Sequence, residues 1–166
     1  MKGRRSIIAL VAATTVILFS FCACQTMKGS GQPTATLSVD PASLALGAAI
    51  FKTPVVFVGS NWEPNEMVIL DWVIPKGIEM PGMGEGEDAV GIGFVTADSQ
   101  GNIKTTMGAL SKVYTIFRGD INPETSKPDF KSFKPLPPGN YAIRASGANS
   151  DREAATTIQL TVPVKK

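Results

Sequence analysis

From position 35 onward, no window longer than ten residues repeats its apolar side chains every three to four positions, and that absence directs the chain toward β structure. What remains is a series of short β-rich runs: Thr36–Val39, Val55–Val58, Met67–Ile74, Val90–Ala97, Asn102–Met107, Lys112–Phe117, Tyr141–Ser146 and Thr156–Val162. Asn, Gly, Pro and Asp punctuate them, drawn from a chain of 166 residues with 16 glycines and 12 prolines. Two runs alternate as half-buried strands do. Tyr141, Ile143 and Ala145 share a face opposite Ala142 and Arg144, and Ile158, Leu160 and Val162 share one opposite Thr157, Gln159 and Thr161, the pattern of neighbouring antiparallel strands. Strand-helix alternation, which would signal a parallel sheet, is missing. The expected fold is all-β, an antiparallel sandwich of seven or eight strands.

The amino end has a different character. Lys2, Arg4 and Arg5 precede an apolar run from Ile7 to Phe21, followed by Cys22-Ala23-Cys24-Gln25. This is the order of a secretory signal peptide, and the apolar run falls short of the roughly 20 residues that span a bilayer as a helix. Phe21-Cys22-Ala23-Cys24 is similar to the lipobox of bacterial lipoproteins. The resemblance implies cleavage after Ala23, a lipidated Cys24 as the mature amino terminus, and palmitate among its acyl chains. In that family Gln25, where an aspartate would hold the protein at the inner membrane, implies outer-membrane sorting in an organism with two membranes. Residues 1–23 are thus read as signal peptide, 24–34 as a polar Gly/Ser-rich flexible tether, and 35–166 as one domain. Loss of Lys2, Arg4 and Arg5 turns the net charge from +2 to −1, so no basic excess argues for nucleic acid.

Three stretches of the domain resemble secreted bacterial Ig-like domains. Gly59–Glu66 followed by Met67–Leu70 looks like their B-C turn and the start of strand C. Phe94–Ile103 looks like the D-E hairpin, and Leu136–Ile143 looks like the entry to strand F, where such domains place a corner tyrosine, here Tyr141. The resemblance implies an Ig-like sandwich and says nothing about a ligand. The inter-sheet cysteine pair of antibody-type domains is missing, since both cysteines fall in the first 24 residues.

Composition narrows the chemistry. With no histidine there is no Ser-His-Asp or Cys-His dyad and no His-ligated metal, and without cysteine beyond position 24 the domain has no thiolate site. Carboxylate chemistry is left. Glu79, Glu85, Glu87 and Asp88 lie in a Gly-rich stretch and could coordinate calcium or form an acid-base pair for a carboxylate-dependent envelope hydrolase. Against both stands the reading of a solvated loop whose glycines deny the rigidity that catalysis needs. Asp98–Asn102 reads as a hairpin turn, with Gly101 supplying the positive φ. Arg118-Gly119-Asp120 spells an integrin-binding tripeptide, a short motif that recurs by chance. Trp72, inside an apolar run, is expected in the core, whereas Trp62 sits in a turn and could cap the core or contact a ligand.

The segment Arg118–Pro138 carries five prolines, balanced charge, and Phe130 and Phe133 three apart. A loop this long either serves a partner or folds back with its rings as a satellite cluster. In an Ig-like order, with 102–117 as one bent strand, this loop and the acidic loop 75–89 emerge together at the end away from the tether. The sequence reading is therefore a non-catalytic, lipid-anchored module of the cell envelope that needs no cofactor. It presents Phe130, Phe133, Met80, Met83 and Trp62 to an envelope protein or polysaccharide.

Overall fold

A computed structural model of the chain describes residues 34–163; the signal segment, Cys24 and most of the tether lie outside the described residues. The domain is all-β. Its strands are β1 (Thr36–Asp40), β2 (Ser43–Ala45), β3 (Val56–Ser60), β4 (Met67–Val73), β5 (Ala89–Thr96), β6 (Ile103–Thr106), β7 (Ile121–Asn122), β8 (Lys127–Pro128), β9 (Gly139–Gly147) and β10 (Glu153–Thr161). One sheet has the order β1-β3-β6, a second the order β2-β10-β9-β4-β5, and β7 and β8 form a small hairpin of their own.

Pairing is not wholly antiparallel as expected, because β2 runs parallel to β10, Leu44 opposite Leu160. After β1 the chain bends at Pro41 and its continuation joins the other sheet, covering the edge of β10. A three-residue strand is too short to show an alternating pattern, so nothing in the sequence announced it.

Alternation places the core. Val68, Leu70 and Trp72 of β4 point inward with Tyr141, Ile143 and Ala145 of β9 and Ile158 and Leu160 of β10. From the three-stranded sheet Phe57 and Ile103 meet them in a single cluster of buried residues. Trp72 is fully buried with its ring 5.6 Å from that of Tyr141, and the Tyr141 hydroxyl donates to the Pro137 carbonyl at 2.7 Å. Val162 lies past the end of β10 and is exposed, contrary to the alternation that grouped it with Ile158 and Leu160.

The run Lys112–Phe117, expected as a strand, is helical instead. Ala109–Ser111 is a short helical turn, α1, and Lys112–Ile116 continues it as a π-helix. Lys112, Val113, Thr115, Ile116 and Phe117 are all buried and Tyr114 alone is exposed, so the segment is enclosed on nearly every side. Position follows from this. β6 brings the chain to the end of the domain marked by Val56 and Thr106, and a further antiparallel strand would carry it back; the helical segment keeps it there.

Two ends can now be defined. At the near end, Asn61 Nδ2 donates to the Thr34 carbonyl where the chain enters, Trp62 N–H bonds to Gly101 O, and Ala97 N–H bonds to Glu66 O. The far end carries the β4–β5 connection at 74–88 and the segment 118–138 that leads into β9.

Candidate functional site

Arg118 builds the far end. Its Nη1 donates to the Glu79 carbonyl at 3.0 Å, its Nε to Lys134 O at 2.7 Å and its Nη2 to Pro135 O at 3.3 Å. One guanidinium, a rigid fork of donors, thus ties the acidic loop to the stretch 134–135 of the proline-rich segment. Arg118 takes a positive φ of 46°, and its side chain is spent inside the domain rather than offered as part of an Arg-Gly-Asp ligand. Beside it lies a cleft of about 420 Å³ lined by Glu79, Met80, Arg118, Asp120, Ser132 and Lys134.

The proline-rich segment is an ordered piece of structure. Asn122 Oδ1 accepts the N–H groups of Glu124 and Thr125 and shapes the turn between β7 and β8, and Asp120 N–H donates to Ser132 Oγ. Its rings join others. Phe117 stacks on Phe51 and on Phe133 at centroid distances of 4.9 and 5.0 Å, and Phe130 lies 5.1 Å from Phe133. Gly119 is required where it is, because a Cβ there would run into the Phe133 ring. Of the two alternatives for this loop, the satellite cluster describes its geometry, yet Phe130 at its rim is 67% exposed.

The residues expected to meet a partner thus separate. Phe130 is exposed and Phe133 half-buried beneath it, whereas Met80 is buried in the core and Met83 is half-buried against it. Trp62 is also buried, packed at the near end against the backbone of Gly101 and Gly59, and so caps the core rather than contacting a ligand. Met80 reaches the surface only as part of the cleft wall, and Trp62 does not reach it.

The acidic side chains each have separate company. Glu87 Oε2 accepts the Gly84 N–H at 2.8 Å, as an acidic residue closing its own turn does. Asp88 pairs with Arg144 at 3.2 Å, with Asp71 4.0 Å from the same guanidinium, and these carboxylates hold the Arg144 pKa above its ordinary value. Glu85 is exposed. Among the described residues no group of three or more acidic side chains is arranged to hold a metal ion.

Two buried charged groups escaped the sequence reading. Lys112, 3% exposed, donates from Nζ to the carbonyls of Ile50 and Thr53, and burial pulls its pKa below the ordinary lysine value. Glu66, 2% exposed, accepts the Glu63 N–H at 2.6 Å and the Ser150 hydroxyl at 3.0 Å, riveting the near-end turn to the β9–β10 hairpin. Arg152 completes that rivet by pairing with Glu63 and donating to Asn61 O at 2.7 Å. Glu-x-x-Glu in a Pro-Asn turn was the available signal for Glu66. None existed for Lys112, whose burial depends on the unforeseen helix.

No family model and no curated protein matches the chain. Solved structures give partial likenesses. Macromomycin is 16% identical with a TM-score of 0.46, covering 77% of this chain and 100% of that one. A tetra-tandem repeat in the extending region of a large adhesion protein is 15% identical with a TM-score of 0.43, covering 78% of this chain; the present chain spans 24% of that one. BslA, a bacterial hydrophobin, is 12% identical with a TM-score of 0.33, covering 80% of this chain and 95% of the other.

Proposed function

We propose that this chain is a non-catalytic lipoprotein of the bacterial cell envelope, anchored through Cys24, whose Ig-like β-sandwich presents its far-end loops to another envelope protein or polysaccharide. The anchor reading rests on the lipobox-like Phe21–Cys24, and multiple acyl chains would hold it stably where one would not. The Ig-like reading draws support from the split of the first strand between two sheets, the buried Trp72, and the Tyr141–Pro137 hydrogen bond that resembles a tyrosine corner. One observation carries the binding role. The two longest loops meet through Arg118 at the end opposite Thr34 and together line a cleft, and one of them carries the exposed Phe130. Loops held rigidly at a free end are where β folds place recognition.

Two measurements test this. Radioactive palmitate should label the wild type and leave Cys24→Ala unlabelled and absent from the floated membrane fraction, and labelling of the variant would overturn the anchor. Affinity purification of the tagged protein from its own envelope should capture a macromolecule whose retention falls about tenfold with Phe130→Ser or Lys134→Ala, as truncation at a contact does. Equal capture by wild type and both variants would remove the far-end surface from the reading.

A further inference from the structure

Strand β5 contains a bulge that turns an aromatic side chain the wrong way for a core. Val90 and Ile92 face inward, and strict alternation would bury Phe94 with them. Register shifts between Leu70 and Asp71, which pair with Gly93 and Gly91, leaving Ile92 as the extra residue. Beyond the bulge the faces are exchanged, so Val95 and Ala97 pack inward and Phe94 points out, 71% exposed. Bulges commonly re-aim a side chain in this way.

Phe94 is not alone on the outer face. It pairs across the strands with Ile69, and Met67 follows on the same face of β4; all three are exposed. With Gly91, Ile92, Gly93 and Ser111 they line a groove of about 580 Å³, with Asp71, paired to Arg144, at its Gly91 end. Gly93 leaves its floor open, since a Cβ there would meet nothing within 4 Å. Exposed apolar surface of this kind marks a contact with protein or membrane.

Where the patch sits decides between them. Met67 pairs with Thr96 at the near end, the end at which the Asn61–Thr34 hydrogen bond marks the entry of the chain. Phe94 is two residues farther along, about 7 Å at strand spacing. Residues 25–34 join Thr34 to Cys24, and ten residues span at most about 35 Å in any conformation. A domain anchored through Cys24 is therefore confined beside the bilayer, where even weak apolar contact is populated. Strand pairing with a second copy through β5 is opposed by the bulge and by Ser111, whose hydroxyl donates to the Ile92 carbonyl at 3.0 Å and occupies the edge at mid-strand.

We infer that Phe94, Ile69 and Met67 form a lipid-docking face that seats the near end of the domain in the bilayer interface and so fixes the direction in which the far-end loops point. This rests on the lipid-anchor reading above. The test uses the full, lipidated chain in vesicles of phosphatidylethanolamine and phosphatidylglycerol with brominated or plain acyl chains. Phe94→Trp and, at the far end, Phe130→Trp replace exposed rings, and the buried Trp62 and Trp72 supply a common background. A side chain seated about 5–10 Å into the headgroup-acyl boundary should lose roughly half its added emission to bromine and shift to the blue, while Phe130→Trp does neither. If both variants float with the vesicles and neither is quenched, the anchor stands and the docking face is lost. A blue shift of Phe94→Trp that grows with protein density and ignores bromine assigns the groove to a second copy and overturns the inference. Should the protein fail to float with Cys24 intact, the anchor reading itself falls and this one with it.

Discussion

At the scale of single residues the domain is fastened by side chains that satisfy backbone groups. Asp98 illustrates the energetics: its carboxylate accepts the N–H groups of Gln100 and Asn102 at 2.8 and 2.9 Å, and the backbone donors, Asn102 first, hold its pKa below the ordinary aspartate value. A group whose pKa is lowered by folding contributes stability above its unfolded pKa of about 3.9 and loses it as pH falls through the folded value. Asp98→Asn keeps an acceptor without the charge. The stability gap between wild type and Asp98→Asn, measured by urea unfolding, should be constant near neutrality and narrow steadily in acid below that unfolded value; a gap that widens in acid would contradict the assignment. Tyr141 offers a simpler case. Its hydroxyl bond to Pro137 O should make Tyr141→Phe less stable by about 1 kcal/mol in the same assay.

At the scale of elements, what the sequence disclosed depended on whether local periodicity and tertiary position agreed. For β9 and β10 they did: Tyr141, Ile143 and Ala145 are buried as alternation requires, and the two strands pair antiparallel. In Lys112–Phe117 they did not, because a short run rich in β-branched residues reads as a strand, and its burial on every side but that of Tyr114 leaves no periodicity to reveal the helical segment. Phe94 was misleading for the opposite reason, since one bulge residue inverts an otherwise legible strand. Met80 and Met83, taken as surface contacts because they lie in a Gly-rich loop, turn inward to the core, and no local pattern could distinguish the two fates. The hairpin at 98–101 shows how tightly an element can depend on one position. Gly101 has a φ of 77° and its missing Cβ would overlap the Trp62 carbonyl, so Gly101→Ala should cost more than about 2 kcal/mol and lower the thermal midpoint by several degrees. An unchanged midpoint would mean that the turn can rearrange.

At the scale of the whole molecule, the arrangement of ends matters more than any one site. The sequence reading had the acidic and proline-rich loops emerge together by treating 102–117 as one bent strand, and the structure brings them together by a different route. The chain reaches the far end with β6 and stays there through a helical segment whose Lys112 donates to Ile50 O and Thr53 O. Arg118, dismissed in the sequence as part of a chance tripeptide, then joins the loops. Its three bonds reach backbone carbonyls of two segments, whereas the two sheets share a core to which Arg118 contributes nothing. Loop cohesion and fold stability should therefore separate. Arg118→Ala should weaken the docking of 118–138 by about 2 kcal/mol, a magnitude reasonable for charge-assisted bonds at a half-buried site. Hydrogen exchange should rise in 76–83 and 119–134 while amides of β4, β9 and β10 keep their protection, because local opening draws only on local contacts. Arg118→Lys should restore little, since an ammonium cannot reproduce a planar fork aimed at three carbonyls. Exchange rising uniformly across the strands would mean that the far end is part of the cooperative core, and the far-end loops would then have to be regarded as structural rather than as a surface held ready for a partner.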